Sequence, residues 1–397
     1  MNVWKYAIGR RSFWEPAQTL TEIDRQMSFT DRLGFTVAQA IAAWLLAFLI
    51  GGVSGVVAMM LCHYLLTFGG EDAANKHGIS QITATRLGGV AIVGYMLMHL
   101  GYQFRLGAYD PAVDQAVLIL ICLAFFVLGV FEDLRGSLSA RTRFVGMLAI
   151  GAVAMMVAPD LALQPVGIIW VDLILGSSLL SAVIFSALCI AFIPNAFNTA
   201  DGANGLVGGT SAFALAAFMP IASPELIPFI SAAFVGCLLF LVFNLISGRF
   251  FLGDGGAYFL GALCGLSMVV VSNTSDVSVW WLLSLVFYPV ADLLWSMARR
   301  LRSGASLFAP DNQHYHNLLF AYLDSSDRSS TAANTLTGVA IAVLFAGMPA
   351  ILTFTGIWSA QDEAWLFWVC GQWLIYGIGW KYLNDRLCVL PGTSEQM

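Results

Sequence analysis

The chain has 397 residues, of which 59% are hydrophobic and 11% charged, with a formal net charge of −6. Ordinary soluble domains run near ~45–50% apolar and ~25% charged, so this composition excludes a soluble enzyme and marks an integral membrane protein. The acidic balance and the absence of any basic repeat argue against a nucleic-acid partner.

Residues 1–35 form a polar N-terminal extension carrying Lys5, Arg10, Arg11, Arg25 and Arg32. The first apolar run begins near residue 36 and is too long for the apolar region of a cleavable signal peptide. From there about eleven spans follow, near 36–68, 87–105, 115–131, 144–159, 176–194, 205–222, 226–246, 256–273, 279–298, 332–356 and 364–383. The runs are continuous and do not alternate. In hydrocarbon every backbone polar group must be paired within its own segment, so they predict helices and argue against a barrel. The expected fold is all-α: a polytopic bundle over residues 36–383, with a tail at 384–397. Six of the seven cysteines (Cys62, Cys122, Cys189, Cys237, Cys264, Cys370 and Cys388) lie inside apolar runs, as packing residues rather than a metal or disulfide framework.

Alternating spans put 69–86, 132–143, 195–204, 247–255, 299–331 and the C-terminus on one side. That side holds Lys76, Arg86, Arg135, Arg141, Arg143, Arg249, Arg299, Arg300, Arg302, Arg328, Lys381 and Arg386; the other connections have little beyond Arg105. Positive loops stay in the cytoplasm, so the first set faces inward. The five basic residues of 1–35 then lie outside, against the same rule, unless that segment is interfacial or the first span is miscounted.

Polar clusters gather on the inward side alone. In chain order they are Lys76-His77 with Thr85-Arg86-Leu87-Gly88-Gly89, then Glu132-Asp133 running on to Arg141 and Arg143. Asn195 to Leu206 follows, with Asn198, Asp201 and Asn204, then Asn244 with Phe251-Leu252-Gly253-Asp254-Gly255-Gly256. Last come Arg299-Arg300 and Pro310-Asp311-Asn312-Gln313-His314-Tyr315-His316. Singly, each reads as helix capping, turn chemistry or headgroup anchoring. Together they place carboxylates where apolar spans meet one surface, at ~2.5–3.5 kcal/mol each if at membrane depth. Hard carboxylate oxygens suit Mg²⁺ shared with substrate phosphates, and Gly255 and Gly256 would let backbone N–H groups approach a phosphate.

In span count and motif order the chain resembles the polyprenyl-phosphate N-acetylhexosamine-1-phosphate transferases, across roughly residues 40–383. Glu132 and Asp133 fall on that family's Asp-Asp pair. Asn198, Asp201 and Asn204 fall on its Asn-x-x-Asp-Gly-x-Asp-Gly-Leu motif, Asp254 on its magnesium-binding Asp, and His314 and His316 on its His-rich loop. The resemblance implies transfer of a sugar-1-phosphate from a UDP-sugar to undecaprenyl phosphate in the bacterial inner membrane, releasing UMP and starting a cell-envelope polysaccharide. It implies Mg²⁺, with Mn²⁺ as an alternative, held by Asp254 and Asp133. Glu132, Asp133, Asp201, His314 and His316 are the implied catalytic set. Arg86, Asn198, Asn204, Asn244, Phe251, Arg299, Arg300 and Asp311 are implied to bind substrate, with Asn244 and Phe251 at the uridine.

Four departures bear on these roles: Thr85 replaces Pro, Glu132 replaces Asp, Asn204 replaces Asp, and the loop reads His-Tyr-His-Asn. The loop lacks the histidine run of the pentapeptide-transferring branch and is closer to the UDP-GlcNAc branch. A secondary transporter and an inactive scaffold homologue are the rival readings. The first expects midplane charges and internal repeats, whereas the polar residues here sit at one face. The sugar and the oligomeric state, a homodimer included, stay open.

Overall fold

The computed structural model describes residues 86–389, except 106–112, 137, 225, 249, 310 and 325–328. The N-terminal extension, the span expected at 36–68, Lys76-His77, Thr85, and the tail beyond 389 lie outside the described residues. Within them the regular structure is helical, with no strand. The helices are α1 (Gly88–Arg105), α2 (Val113–Arg135), α3 (Ala140–Val157), α4 (Ile169–Ser177), α5 (Leu179–Ala200), α6 (Leu206–Phe218) and α7 (Ile227–Ser247). There follow α8 (Gly253–Thr274), α9 (Val279–Leu285), α10 (Phe287–Arg302), α11 (Tyr315–Asp324), α12 (Ser330–Phe354) and α13 (Trp365–Val389).

Each of the ten spans expected within the described residues falls on helix. Six helices (α2, α3, α5, α7, α8 and α12) are long and apolar enough to cross a membrane, and the bent pair α9–α10 makes a seventh. The outward faces carry large apolar side chains such as Leu120, Met156, Trp170, Ile246, Phe367 and Ile378. Water would not support so much exposed apolar surface, whereas lipid would. This is a multi-pass membrane protein.

α8 is the axle of the bundle, buried along nearly its whole length and packed on α1, α2, α5 and α6. Without a hydrophobic drive between helices in lipid, small residues are what let backbones close up. Gly256 meets Gly89 of α1, Gly129 of α2 meets the Asp254 backbone, and Gly261 sits against Pro194 of α5. A Cβ at any of these would collide with a neighbouring backbone. This close packing holds the amino end of α8, with Asp254, against the ends of α1 and α2.

The other shaping feature is the 83° bend between α9 and α10. Pro289 has no N–H to give the Leu285 carbonyl four residues back, so the helix breaks at Val286. Beyond the break, Tyr288, Asp292, Ser296 and Arg299 recur every three or four residues on one face of α10. That face takes up the segment 311–316.

Candidate active site

Three carboxylates from three helix ends converge on the amino end of α8. Asp133, in the last turn of α2, accepts the N–H of Asp254 on Oδ1 (3.0 Å) and that of Gly255 on Oδ2 (2.9 Å). Asp201, capping the C-terminus of α5, lies against the N–H of Gly253. Asp254 itself stands in the first turn of α8 and accepts Arg143 Nη1 on Oδ2 at 2.7 Å. The helix dipole and free N–H groups favour this gathering of negative charge.

Two cations answer it. Arg143 of α3 bridges Asp254 and the Tyr258 hydroxyl one helical turn further on. Arg86, just before α1, lies in the field of both Asp133 and Asp201. They do not balance the cluster fully. Loss of solvation, reinforced by the charges of Asp254 and Asp133, pushes the Asp201 carboxyl up to about 8. A carboxylate so placed favours a further cation nearby.

The glycines after Asp254 do something other than cradle a phosphate. The Gly255 N–H is already given to Asp133, and Gly255 and Gly256 press against Val130 and Gly89. Their missing side chains serve helix approach. Glu132 turns back on its own loop, where Oε2 accepts the Leu138 N–H at 2.9 Å.

Asn204 and Asn244 lie apart from the carboxylates, in a buried amide network. Asn244 accepts the Gly205 N–H (2.6 Å) and donates to the Phe250 carbonyl (2.8 Å) and to Asn204 Oδ1 (3.3 Å). The Asn204 N–H goes to Asn334 Oδ1 at 2.6 Å. Both side chains are committed to fixing the turn after Asp201, which is a different task from the substrate contact expected of them. Gly205 there has φ +81°, a conformation that glycine adopts freely. Asn198 stays with the carboxylate group, its Nδ2 3.5 Å from the Tyr258 hydroxyl. Phe251 is half-buried, and its carbonyl accepts the Gly88 N–H at 2.9 Å, securing the start of α1.

The histidine segment reads the polar face of α10 in antiparallel register. Asp311 accepts Ser296 and Arg299, His314 Nδ1 meets Asp292 Oδ2 at 2.6 Å, and His316 Nδ1 meets the Tyr288 hydroxyl at 2.8 Å. Arg300 donates to the Leu307 carbonyl, so Arg299, Arg300 and Asp311 together staple the loop. The two imidazoles stack with centroids 5.5 Å apart. Burial pulls His314 down, yet Asp292 and then Asp311 hold it above the ordinary imidazole value. Burial drives His316 down to about 4, so it is neutral at pH 7. The His316 Nε2 abuts Gly202, next to Asp201, and joins the loop to the carboxylates.

Sequence reasoning missed Arg143, Tyr258, Asp292 and Tyr288 as members of this site. Arg143 had counted toward loop charge and the second polar cluster without a role of its own, and the other three sit inside apolar runs. The signal was there in Asp292, an acid eight residues before Arg300 in a span, and in Tyr258, one turn after Asp254.

Among the described residues, no three His, Cys, Asp or Glu side chains come close enough to enclose a metal ion by themselves. The donor set nevertheless suits a hard divalent cation that completes its shell with phosphate oxygens and water. Asp254 Oδ1 accepts no hydrogen bond among the described residues, and the charges of Asp254 and Asp133 weigh on Asp201 more than Arg86 relieves it.

Residues 115–272 match glycosyl transferase family 4. The chain is 30% identical over 281 residues to the undecaprenyl-phosphate alpha-N-acetylglucosaminyl 1-phosphate transferase of Escherichia coli O157:H7, covering 66% of this chain and 75% of that protein. The enzyme of the same name from Salmonella typhimurium is 29% identical over 317 residues, covering 74% and 84%. The decaprenyl-phosphate N-acetylglucosaminephosphotransferase of Mycobacterium tuberculosis is 27% identical over 273 residues, covering 60% and 66%. The match spans α2 to α8 and so contains the three converging carboxylates; this chain belongs to glycosyl transferase family 4.

Proposed function

We propose that this protein transfers N-acetylglucosamine-1-phosphate, or a closely related N-acetylhexosamine-1-phosphate, from its UDP-sugar to undecaprenyl phosphate. The observation that carries the reading is the convergence of Asp133, Asp201 and Asp254 with Arg86 and Arg143 at the amino end of α8. The names of the relatives supply the reaction class.

Phosphoryl transfer asks mostly for positioning and charge neutralisation. A phosphate monoester has its second pKa near ~6, so the lipid phosphate arrives largely ionised and no strong base is needed. Its oxygen attacks the sugar-bearing phosphorus and UMP leaves. Asp254 and Asp201 would hold Mg²⁺, with Asp133 fixing the helix end that carries Asp254. When bound, the ion would neutralise charge on the transferring phosphate. Arg143 and Arg86 are the protein's own counter-charges, and His316, packed on Gly202 beside Asp201, would bring the loop and the His314 stacked on it to the same site. The product would be the first lipid-linked sugar of a cell-envelope polysaccharide. One phosphoanhydride replaces another, so the step is reversible and drawn forward by later reactions.

Purified protein given radiolabelled UDP-GlcNAc, undecaprenyl phosphate and Mg²⁺ should yield a lipid-extractable product and UMP. UDP-muramoyl-pentapeptide should give none. No lipid product from any UDP-N-acetylhexosamine sinks the reading.

A further inference from the structure

Asp292 is fully buried (0% exposed) on the bent helix α10, yet it carries a carboxylate in an apolar span. Three donors converge on it. The Tyr376 hydroxyl and the Tyr315 N–H go to Oδ1 (2.7 and 3.0 Å), and His314 Nδ1 goes to Oδ2 (2.6 Å). The first two are neutral and would be served as well by an amide oxygen. Burying a charge is expensive unless an ionisable partner answers it, and here that partner is His314.

We propose that Asp292 is a positioning residue for phosphosugar transfer: it holds the His314 ring by Nδ1 and leaves Nε2 to donate to a phosphate oxygen of the nucleotide sugar. The inference rests on the transferase reading above. The carboxylate accepts the Nδ1 hydrogen and so fixes the ring's orientation; Nε2 carries a hydrogen to donate when the ring is the imidazolium, the form that the Asp292 charge favours. Nε2 makes no hydrogen bond among the described residues. His316 stacks flat against the other face of the ring, and its own Nε2 reaches Gly202 beside Asp201. The ring is therefore gripped at one edge and one face, with its free edge left over.

The groups that face His314 are Asp292 from α10, Asp311 of its own loop, Arg299, and the neutral His316. Only the first touches it through a hydrogen bond at the ring. Removing the Asp292 charge should therefore lower the proton affinity of His314 more than any other single change. An Asn at 292 keeps the shape and can still accept from Tyr376 and Tyr315.

The test uses full-length protein in detergent, labelled with ¹⁵N-histidine, with the His314 resonance assigned by its loss in His314→Gln. In Asp292→Asn the His314 titration midpoint should fall by at least about one pH unit. Turnover should fall at least tenfold in Asp292→Asn and recover at least partly in Asp292→Glu. In the His314→Gln background the same Asn change should alter turnover less than twofold, because Asp292 acts through the ring. An unmoved midpoint, or losses that multiply, overturns the proposal. Should Asp292→Asn fail to fold, Tyr376→Phe takes its place: it should lower turnover two- to fivefold alone and not at all beside His314→Gln. Equal losses in both backgrounds overturn it too. Absence of lipid product from the wild type would sink the transferase reading, while the titration midpoint still decides the Asp292–His314 coupling.

Discussion

The Asp133 carboxylate closes the amino end of the helix that carries Asp254, accepting the Asp254 N–H at 3.0 Å and the Gly255 N–H at 2.9 Å. Neighbouring acids in the sequence, Glu132 and Asp133, thus do unlike work. Asp133 reaches across to α8, while Glu132 ties down the Leu138 N–H at 2.9 Å in the loop that follows α2. Helical geometry separates the two by about 100°, which is why only one can face α8.

That division sets the first prediction. Asn at position 133 offers one acceptor where two N–H groups need one each, and it removes a charge favoured by the helix end. Asp133→Asn should lower turnover at least ~10²-fold, as loss of a key electrostatic group does. Glu132→Asp should keep at least about a tenth of the activity, a loss under ~1.4 kcal/mol. Steady-state kinetics on both variants decides it. If Glu132→Gln abolishes turnover and Asp133→Asn is nearly intact, the roles are reversed.

Arg143 and a divalent cation would compete for Asp254, since Nη1 occupies Oδ2 at 2.7 Å. Arg143→Ala should therefore lower the Mg²⁺ concentration giving half-maximal rate while also lowering the maximal rate, because a counter-charge to substrate is gone. Asp254→Asn should lose at least ~10²-fold in turnover, and EDTA should silence the wild type. A higher Mg²⁺ requirement in Arg143→Ala would falsify the competition; full activity in EDTA would remove the metal altogether.

The bundle was legible because apolar runs and their charged connections follow directly from hydrocarbon thickness and insertion energetics. The carboxylates were legible for the same reason, as expensive residues at helix ends. The partnerships were not. Nothing local in Gly-Asp-Gly-Gly distinguishes a phosphate cradle from a helix crossing; Gly89, far away in sequence, decides it. Likewise Asn204 and Asn244 are polar residues beside the motifs, and only the folded turn reveals that Asn244 accepts the Gly205 N–H and donates to Asn204 Oδ1. Asp292 was hidden because one acid in a span reads as noise until Pro289 bends the helix and His314 arrives.

Orientation can be checked at the exposed loop after α10. Its flanking arginines predict a cytoplasmic position by the positive-inside rule. In a background without accessible native cysteines, Ala305→Cys should resist a membrane-impermeant thiol reagent in intact cells and react after permeabilisation. Rapid labelling of intact cells would reverse the topology.

The pH dependence of stability follows from Asp201, raised to about 8 from an ordinary value near ~3.9. Between those values the folded state binds more protons than the unfolded one, so this group's contribution to stability declines as pH rises toward about 8. Without metal, the thermal midpoint in detergent should fall across pH 6 to 8, and Asp201→Asn should flatten that fall. Mg²⁺ that binds the ionised cluster should protect increasingly over the same window. A metal-free midpoint that rises with pH, unaltered by Asp201→Asn, would contradict the assignment.

Gly202 tests whether the histidine loop must touch the carboxylates. A Cβ built there collides with the imidazole of His316. That ring has little freedom to retreat: Tyr288 holds Nδ1 at 2.8 Å and the His316 N–H at 3.1 Å, and His314 covers its face. Relief must come from pushing the loop away from Asp201, at about 1–3 kcal/mol for an overpacked site. Gly202→Ala should thus cost at least tenfold in turnover while the protein still purifies as a folded species. Gly94→Ala is the control: its Cβ meets nothing within 4 Å, and it sits inside α1, where alanine is the better helix former. It should leave turnover unchanged. If Gly202→Ala works as well as Gly94→Ala, the His316–Gly202 contact has no part in catalysis, and the loop acts without being pressed against Asp201.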